Sequence, residues 1–321
     1  MRIPGLVPGE PQRGLLLHSE PGEVLGLLET CEGIQWAVAE GPDSVANGLR
    51  EQRPTVVFSA KHSLFPGEAH RPAIEAPSVR WFHVGGSGTD HLAGYDEERV
   101  TLTHCAGVLA PFLAERAMAA LLHLSTGLAE SVRASARAEW LPTRFNSLMG
   151  RTILIVGAGA VGTEIARRLR PFGCRVVGIR ESGEPSEPFD EMHSASALDE
   201  LLPRADVLSL NVRLNARTRG LIGPRRLGLL PDGAVILNSS RGAVLDEDAL
   251  LVALGAQVSA AWLDVFEIEP LPAASALWAH PRVLVTPHCA DQVADYPLRF
   301  ARRFVELWRA HLRGAPSVLD S

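Results

Sequence analysis

The stretch from residue 151 to residue 173 constrains the fold of this chain more than any other. A short apolar run, Thr152–Val156, is typical of a buried strand, and a helical pattern from about 163 to 172 stops at Gly173. A glycine-rich loop joins the two, made of Gly157, Ala158, Gly159, Ala160, Val161 and Gly162. Glycines at this spacing allow a tight turn, a close backbone approach and close helix–strand packing. We therefore expect a dinucleotide pyrophosphate at the helix N terminus, the alternative being a βα turn without a ligand.

The residues that follow the next strand, Arg175–Ile179, predict the type of dinucleotide. NAD-binding loops carry an acid there for the ribose 2′-hydroxyl, whereas an arginine pairs with the 2′-phosphate of NADP. Arg180 stands at this position, so we favour NADP over NAD. In the alternative, Glu181 turns inward and takes the role of the acid.

Strands and helices alternate along most of the chain. Strands are expected at 55–59, 79–84, 206–211, 234–238, 261–265 and 283–286, and helices at 110–128, 196–202, 247–254 and, within an amphipathic tail, 291–312. This alternation predicts an α/β protein with doubly wound parallel sheets. At about 100–200 residues per domain, 321 residues predict two domains.

Composition excludes several classes of protein. The net charge of −6 argues against a nucleic-acid binder, and the sequence shows neither an apolar run of membrane-spanning length nor a secretory leader. Four scattered cysteines without a Cys-x-x-Cys pair argue against a disulfide framework and against a metal site. We therefore expect a cytoplasmic location.

Charged and titratable residues follow three apolar strands in the second half of the chain. They are Arg241, Asp264, Glu269 and His288. Because ligands bind beyond the carboxyl ends of the strands in a doubly wound sheet, we expect these residues to gather at the reactive end of the cofactor. A histidine beside a carboxylate suits a proton donor, and an arginine suits a keto acid. In the alternative, each residue has a structural role of its own.

The segments NSSRGAVLDEDAL, LDVFEIEPL and TPHCA, together with GAGAVG, resemble the D-isomer-specific 2-hydroxyacid dehydrogenases, which include glyoxylate and hydroxypyruvate reductases. Upstream, VGGSGTDHL is similar to the substrate loop of that family and LAPFLAERAMAALL to its interdomain helix, so the resemblance covers nearly the whole chain. It implies hydride transfer between NAD(P)H and a small 2-keto acid. It also implies a Rossmann cofactor domain, at 104–288, inserted in a flavodoxin-like substrate domain at 1–103 and 289–321.

The resemblance assigns a role to each matching residue. Arg241 binds the substrate, Glu269 and His288 form the acid/base pair, and Asp264 holds the nicotinamide amide. Ser240 belongs to the cofactor site, and Ser87 and Gly88 hold the substrate carboxylate. The resemblance further implies a homodimer formed through the helix near Ala110 and the segment after it. Trp140 then reaches toward the partner, the alternative being a tryptophan packed within its own chain.

Three residues depart from the family pattern. Arg213 replaces a proline in the loop over the cofactor, Cys289 replaces an apolar residue after His288, and Arg116 replaces a histidine. Cys289 is either a small packed residue or an oxidation-sensitive thiol. Glu269 disfavours a formate dehydrogenase, which has glutamine there. Two alternatives stay open, a cofactor-sensing protein like the corepressors of this superfamily and a dehydrogenase of phosphite-type anions.

Lys61 is the only lysine of the chain, and with His62 it follows the strand expected at 55–59. An ammonium group at the end of this strand suits a polar group on the far end of the substrate. Lys61 is therefore a candidate substrate-binding residue, and Lys61 or His62 is expected to select polar substrates such as hydroxypyruvate over pyruvate. In the alternative it is a solvated loop lysine.

Overall fold

The computed structural model describes residues 3–60, 65, 67–86 and 88–314. Contacts divide the chain into two compact units, one formed by Met1–Leu109 with Ala294–Ser321 and the other by Ala110–Val293. The second unit is thus inserted in the sequence of the first. The domain boundaries that we expected, after residues 103 and 288, stay a prediction.

The first unit is built on a parallel five-stranded sheet in the order β2-β1-β3-β4-β5, which is the flavodoxin-like order. Its strands are β1 (Gln12–Leu17), β2 (Ile34–Ala39), β3 (Val56–Ala60), β4 (Trp81–Gly85) and β5 (Thr101–His104). Its helices are α1 (Gly22–Leu28), α2 (Pro42–Gln52), α3 (Arg71–Glu75) and, from the end of the chain, α10 (Tyr296–Leu312).

Helix α10 closes the core of the first unit with an aromatic face. Phe304 stacks on Trp81 with the ring centroids 4.5 Å apart, and Trp36 and Phe58 meet Phe304 edge-on. Trp308, one turn later, is 1% exposed. The amphipathic pattern expected at 291–312 is confirmed, although the helix begins only at Tyr296.

The second unit contains a parallel seven-stranded sheet in the order β12-β11-β10-β9-β6-β7-β8. Six of these strands follow the order of a classical dinucleotide-binding sheet, and β12 extends it at one edge. The strands are β6 (Thr152–Val156), β7 (Arg175–Ile179), β8 (Glu191–His193), β9 (Val207–Leu210), β10 (Ala234–Asn238), β11 (Val258–Leu263) and β12 (Val283–Val285). Two doubly wound parallel sheets, a Rossmann one inserted in a flavodoxin-like one, confirm the predicted fold class.

The helices of the second unit correct two predicted boundaries. They are α4 (Ala110–Ser125), α5 (Leu128–Ala136), α6 (Ala160–Leu169), α7 (Leu198–Leu201), α8 (Pro224–Leu227) and α9 (Glu247–Ala253). The helix expected at 110–128 ends at Ser125, because Gly127 adopts a left-handed φ of 70°. The helix expected from 163 begins at Ala160, directly after Gly159, so the glycine loop contributes its first turn. Among the described residues, no helix combines the length and the apolar character that crossing a membrane requires.

Candidate active site

The glycine loop after β6 has the geometry that a pyrophosphate requires. Gly157 has a φ of 102°, and a Cβ there would lie 2.4 Å from the carbonyl oxygen of Asn211. A Cβ on Gly162 would lie 2.3 Å from the carbonyl oxygen of Gly157, so helix and loop touch through backbone alone. Gly159 faces open space and precedes the first turn of α6, whose N–H groups have no acceptor within the helix. The residues therefore fit a dinucleotide.

The turn after β7 presents Arg180. A hydrogen bond of 3.2 Å from the N–H of Gly183 to the carbonyl oxygen of Arg180 closes this turn. Nη2 of Arg180 donates to the carbonyl oxygen of Glu184 at 2.9 Å. Its Nε is buried and has no hydrogen-bond partner in the part of the chain that the structure describes. Glu181 does not turn inward, because its side chain is 80% exposed.

Glu269 and His288 meet at the carboxyl ends of β11 and β12. Nδ1 of His288 lies 2.6 Å from Oε2 of Glu269, and Oε1 of Glu269 accepts the N–H of Phe266 at 2.9 Å. The hydrogen bond to Glu269 raises the pKa of His288 above its ordinary value, against the opposing effect of partial burial. The charges of Asp264 and Asp291 also raise this pKa. The pair therefore favours an imidazolium whose Nε2 is left to donate a proton.

Asp264 fixes the loop that carries His288. Its carboxylate is 1% exposed and accepts the backbone N–H groups of Cys289 and Ala290 at 3.1 and 3.0 Å, as well as the hydroxyl of Thr286. Its carbonyl oxygen accepts the N–H of His288 at 2.7 Å. His288 itself has a φ of 48°, a left-handed backbone conformation that costs free energy in any residue other than glycine. The predicted contact of Asp264 with the nicotinamide amide stays a prediction.

Arg241 lies on the loop after β10, and the loop packs directly on the one that holds Glu269. A Cβ on Gly242 would overlap the backbone of Phe266, at 1.8 Å from its carbonyl carbon. Asn238 stabilises this loop, because its Oδ1 accepts hydrogen bonds from both the N–H and the hydroxyl of Ser240, at 3.1 and 2.8 Å. The guanidinium of Arg241 donates to the carbonyl oxygen of Ser240 at 2.7 Å. The loops after β10, β11 and β12 thus converge at one edge of the sheet.

Several predicted residues belong to the first unit. Ser87, Lys61 and His62 lie outside the described residues. Gly88 follows β4 at the carboxyl end of its sheet, where substrate loops of such sheets lie. The roles predicted for these four residues therefore stay predictions.

Two departures from the family pattern contact each other in the second unit. Nη2 of Arg116, on α4, donates to Sγ of Cys289 at 3.3 Å. Arg116 thus anchors the residue next to His288 from a helix far away in the sequence. The third departure, Arg213, lies on the exposed loop after β9, where its carbonyl oxygen accepts the Thr218 hydroxyl at 2.6 Å.

Trp140 does not pack within its own unit. Its side chain is 96% exposed, and the neighbouring Phe145 and Met149 are 63% and 76% exposed. Val132, on α5, is 62% exposed. The alternative of a tryptophan packed within the chain is therefore wrong.

Three residues that were not among the predicted site residues stabilise the loops of the site: Asn238, Trp262 and Thr286. Nε1 of Trp262 donates to Oγ1 of Thr286 at 2.9 Å, which turns the Thr286 hydroxyl toward Asp264. Asn238 had a recognisable signal, since an asparagine before Ser-Ser-Arg-Gly is typical of a turn closed by its side chain. Trp262 and Thr286 had none, because their pairing depends on the register of β11 and β12.

Comparison with known proteins identifies the family of the chain. A model of the NAD-binding domain of D-isomer specific 2-hydroxyacid dehydrogenases matches residues 118–290. The D-specific alpha-keto acid dehydrogenase of Enterococcus faecalis is 30% identical over 250 residues, which are 73% of this chain and 76% of that protein.

Two solved structures share the whole fold. A D-isomer specific 2-hydroxyacid dehydrogenase family protein from Aeromonas salmonicida is 29% identical with a TM-score of 0.85, covering 96% of this chain and 98% of that one. A second member, from Xanthobacter autotrophicus in complex with NADPH and MES, is 26% identical with a TM-score of 0.78, covering 97% and 98%.

Proposed function

Since the chain belongs to the D-isomer specific 2-hydroxyacid dehydrogenase family, whose members are oxidoreductases with an NAD-binding domain, we propose that it reduces a small 2-keto acid to the D-2-hydroxy acid with NADPH. The single observation that carries this proposal is the 2.6 Å contact between His288 and Glu269. A corepressor-like protein needs no histidine whose pKa is raised by a carboxylate, whereas a reductase needs a proton donor at neutral pH.

Each residue of the site has a part in the proposed reaction. NADPH, when bound, supplies the hydride that adds to the carbonyl carbon. Arg241 binds the carboxylate and the carbonyl oxygen of the keto acid and stabilises the charge that grows on that oxygen. His288 transfers the Nε2 proton to the same oxygen, which completes the hydroxyl group. Glu269 holds the imidazolium before the transfer.

The preference for NADPH rests on Arg180. Its buried Nε lacks a partner among the described residues, and Glu181, the acid that NAD requires in the alternative, points to solvent. The NADPH complex of the Xanthobacter relative is consistent with this preference. We propose NADPH as the favoured cofactor and NADH as the weaker one.

The exposed Trp140, Phe145 and Met149 support a homodimer. Large exposed apolar side chains are typical of an interaction surface, and these three lie between residues 140 and 149, in the segment that the family resemblance assigns to the dimer. We propose that a second copy of the chain covers them. Four free cysteines fit the reducing cytoplasm that we propose as its compartment.

A substrate panel tests the proposed reaction. Oxidation of NADPH and NADH is followed at one enzyme concentration with glyoxylate, hydroxypyruvate and pyruvate, and reduction of NADP⁺ and NAD⁺ is followed with phosphite. We expect turnover with at least one keto acid, and faster turnover with NADPH. Tight cofactor binding without turnover would favour the corepressor-like alternative, and reduction of the oxidised cofactor by phosphite alone would favour the anion dehydrogenase.

A further inference from the structure

An ion pair joins two loops beside the glycine loop. Nη1 of Arg217 donates to Oε1 of Glu181 at 2.8 Å. Glu181 follows β7 and Arg217 lies on the loop after β9, and these two strands flank β6 in the sheet. The pair therefore spans the end of the strand that leads into the dinucleotide loop.

Arg217 is held by a prearranged backbone. Oδ1 of Asn215 accepts the N–H groups of Arg217 and Thr218 at 2.8 and 3.1 Å, and the Thr218 hydroxyl accepts the N–H of Asn215 at 2.8 Å. These bonds fix the tip of the loop without using the guanidinium. The side chains of Arg217 and Glu181 are 84% and 80% exposed. An ion pair this exposed contributes little, so Arg217 can change its partner at low cost.

The charges around Arg180 balance before a cofactor binds. Arg180 lies 3.7 Å from a carboxylate oxygen of Glu184, and Arg217 is paired with Glu181. A phosphate monoester carries about two negative charges at neutral pH and binds arginine in forked geometry. The phosphate therefore competes with Glu181 for Arg217. Arg180, the residue before Glu181, offers it a second guanidinium, whose Nε has no partner among the described residues.

We propose that Arg217 is a second arginine of the 2′-phosphate site, which it reaches by exchanging Glu181 for the phosphate of NADPH. Glu181 is then the competitor that limits the preference, since it repels the phosphate and holds Arg217 whenever NADH is bound. This inference rests on the proposed use of NADPH. Arg180 makes the affinity for NADPH higher than that for NADH, and the Glu181–Arg217 pair determines how large this difference is.

Binding of cofactor fragments tests the inference without turnover. Titration calorimetry gives the Kd of 2′,5′-ADP, which carries the 2′-phosphate, and of 5′-AMP, which lacks it. We expect Arg217→Ala to raise the Kd of 2′,5′-ADP about 10-fold, as for loss of a charge-assisted bond, and to change that of 5′-AMP less than about 2-fold. Arg219→Ala is the matched control, an exposed arginine of the same loop, and leaves both constants unchanged.

Measuring Arg217→Ala in the Glu181→Gln variant shows whether Arg217 contacts the 2′-phosphate directly or only neutralises the charge of Glu181. We expect Glu181→Gln alone to tighten 2′,5′-ADP, and Arg217→Ala to cost about 10-fold in that background as well. Loss of the Arg217 effect in this background, or an equal effect on both fragments, would overturn the inference.

Arg180→Ala, measured in parallel, separates the inference from the proposal on which it rests. If Arg180→Ala weakens 2′,5′-ADP selectively and Arg217→Ala does not, the inference fails and the NADPH preference stands. If neither variant discriminates between the fragments, both fail.

Discussion

Nδ1 of His288 lies 2.6 Å from Oε2 of Glu269, and this contact raises the pKa of the imidazole above its ordinary value of 6.5. The two residues are on separate loops, after β12 and β11, so the pair exists only because these strands are neighbours in the sheet. A histidine whose pKa is raised stays protonated at higher pH, which is the form that a reductase uses.

Glu269→Gln removes this effect. Since the charged carboxylate no longer stabilises the imidazolium, the pKa of His288 falls, and the alkaline limb of the kcat profile for keto-acid reduction moves to lower pH. The sign also applies to stability, because the pair stabilises the folded protein below pH 6.5 and loses that effect as the pH rises through the raised pKa. Steady-state kinetics between pH 5 and 9 measure the shift. An unchanged alkaline limb would contradict the assignment of this pKa to His288.

Asp264→Asn tests the anchor of the His288 loop. The asparagine amide has only one oxygen, so its NH₂ group must point at the backbone N–H of either Ala290 or Cys289. Two hydrogen-bond donors then face each other at a buried position, which is unfavourable. We expect a loss of about 1–3 kcal/mol in the free energy of unfolding and a lower pKa of His288, because Asp264 contributes to raising it.

Thr286→Val is the comparison for this anchor, since it removes a hydroxyl that bonds Asp264 and keeps the charge. It lowers stability in urea titrations and leaves the pH limb in place. If the alkaline limb of the kcat profile shifted equally in Asp264→Asn and Thr286→Val, the position of the His288 loop, and not the charge of Asp264, would determine the pKa of His288.

Gly242→Ala tests the contact between the Arg241 loop and the Glu269 loop. The added Cβ meets backbone at 1.8 Å, so one loop must move. Because displacements of about 1 Å in a site cost about 10²-fold, we expect kcat/KM for the keto acid to fall by that order while the Kd of NADPH changes little. Gly223→Ala is the control, since its nearest neighbour is 3.8 Å away. Normal kinetics in the Gly242 variant would contradict the packing of the two loops.

Trp140→Glu tests the proposed dimer. The side chain is 96% exposed in the single chain, so the variant folds normally, but a dimer must bury the new charge. We expect sedimentation equilibrium to show a dimer in the wild type and a dimer Kd raised about 30-fold or more in the variant. Val252→Glu, at another exposed apolar position on α9, is the control. A monomeric wild type at micromolar concentration would refute the dimer.

Local patterns in the sequence predicted the frame of the second unit well. The strands Thr152–Val156, Arg175–Ile179 and Ala234–Asn238 have the bounds expected from the sequence, because each is a buried apolar run that ends at glycine or polar residues. The three-residue strand β8 was missed, since so short an edge strand carries no period. The helix that was expected to reach residue 128 stops earlier, because Gly127 ends it with a left-handed φ.

The site was predictable as far as topology determines it. The carboxyl ends of parallel strands lie at one edge of the sheet, so the alternation of strands and helices is enough to predict that Glu269 and His288 lie at the same edge. The hydrogen-bond donors around the Asp264 carboxylate, the contact of Arg116 with Cys289 and the Glu181–Arg217 pair were not predictable. They join segments distant in sequence, and each depends on side-chain directions that no local pattern encodes.

The most direct test of the account is the turnover of His288→Asn. Asparagine tolerates the left-handed backbone of this position better than alanine does, so the loop keeps its shape while the proton donor is lost. Single-turnover oxidation of bound NADPH by a keto acid that the wild type reduces is compared for the two proteins, with the Kd of NADPH measured separately. We predict a rate lower by about 10²-fold or more with an unchanged Kd. A rate within about threefold of the wild type would contradict the role of His288 as the proton donor.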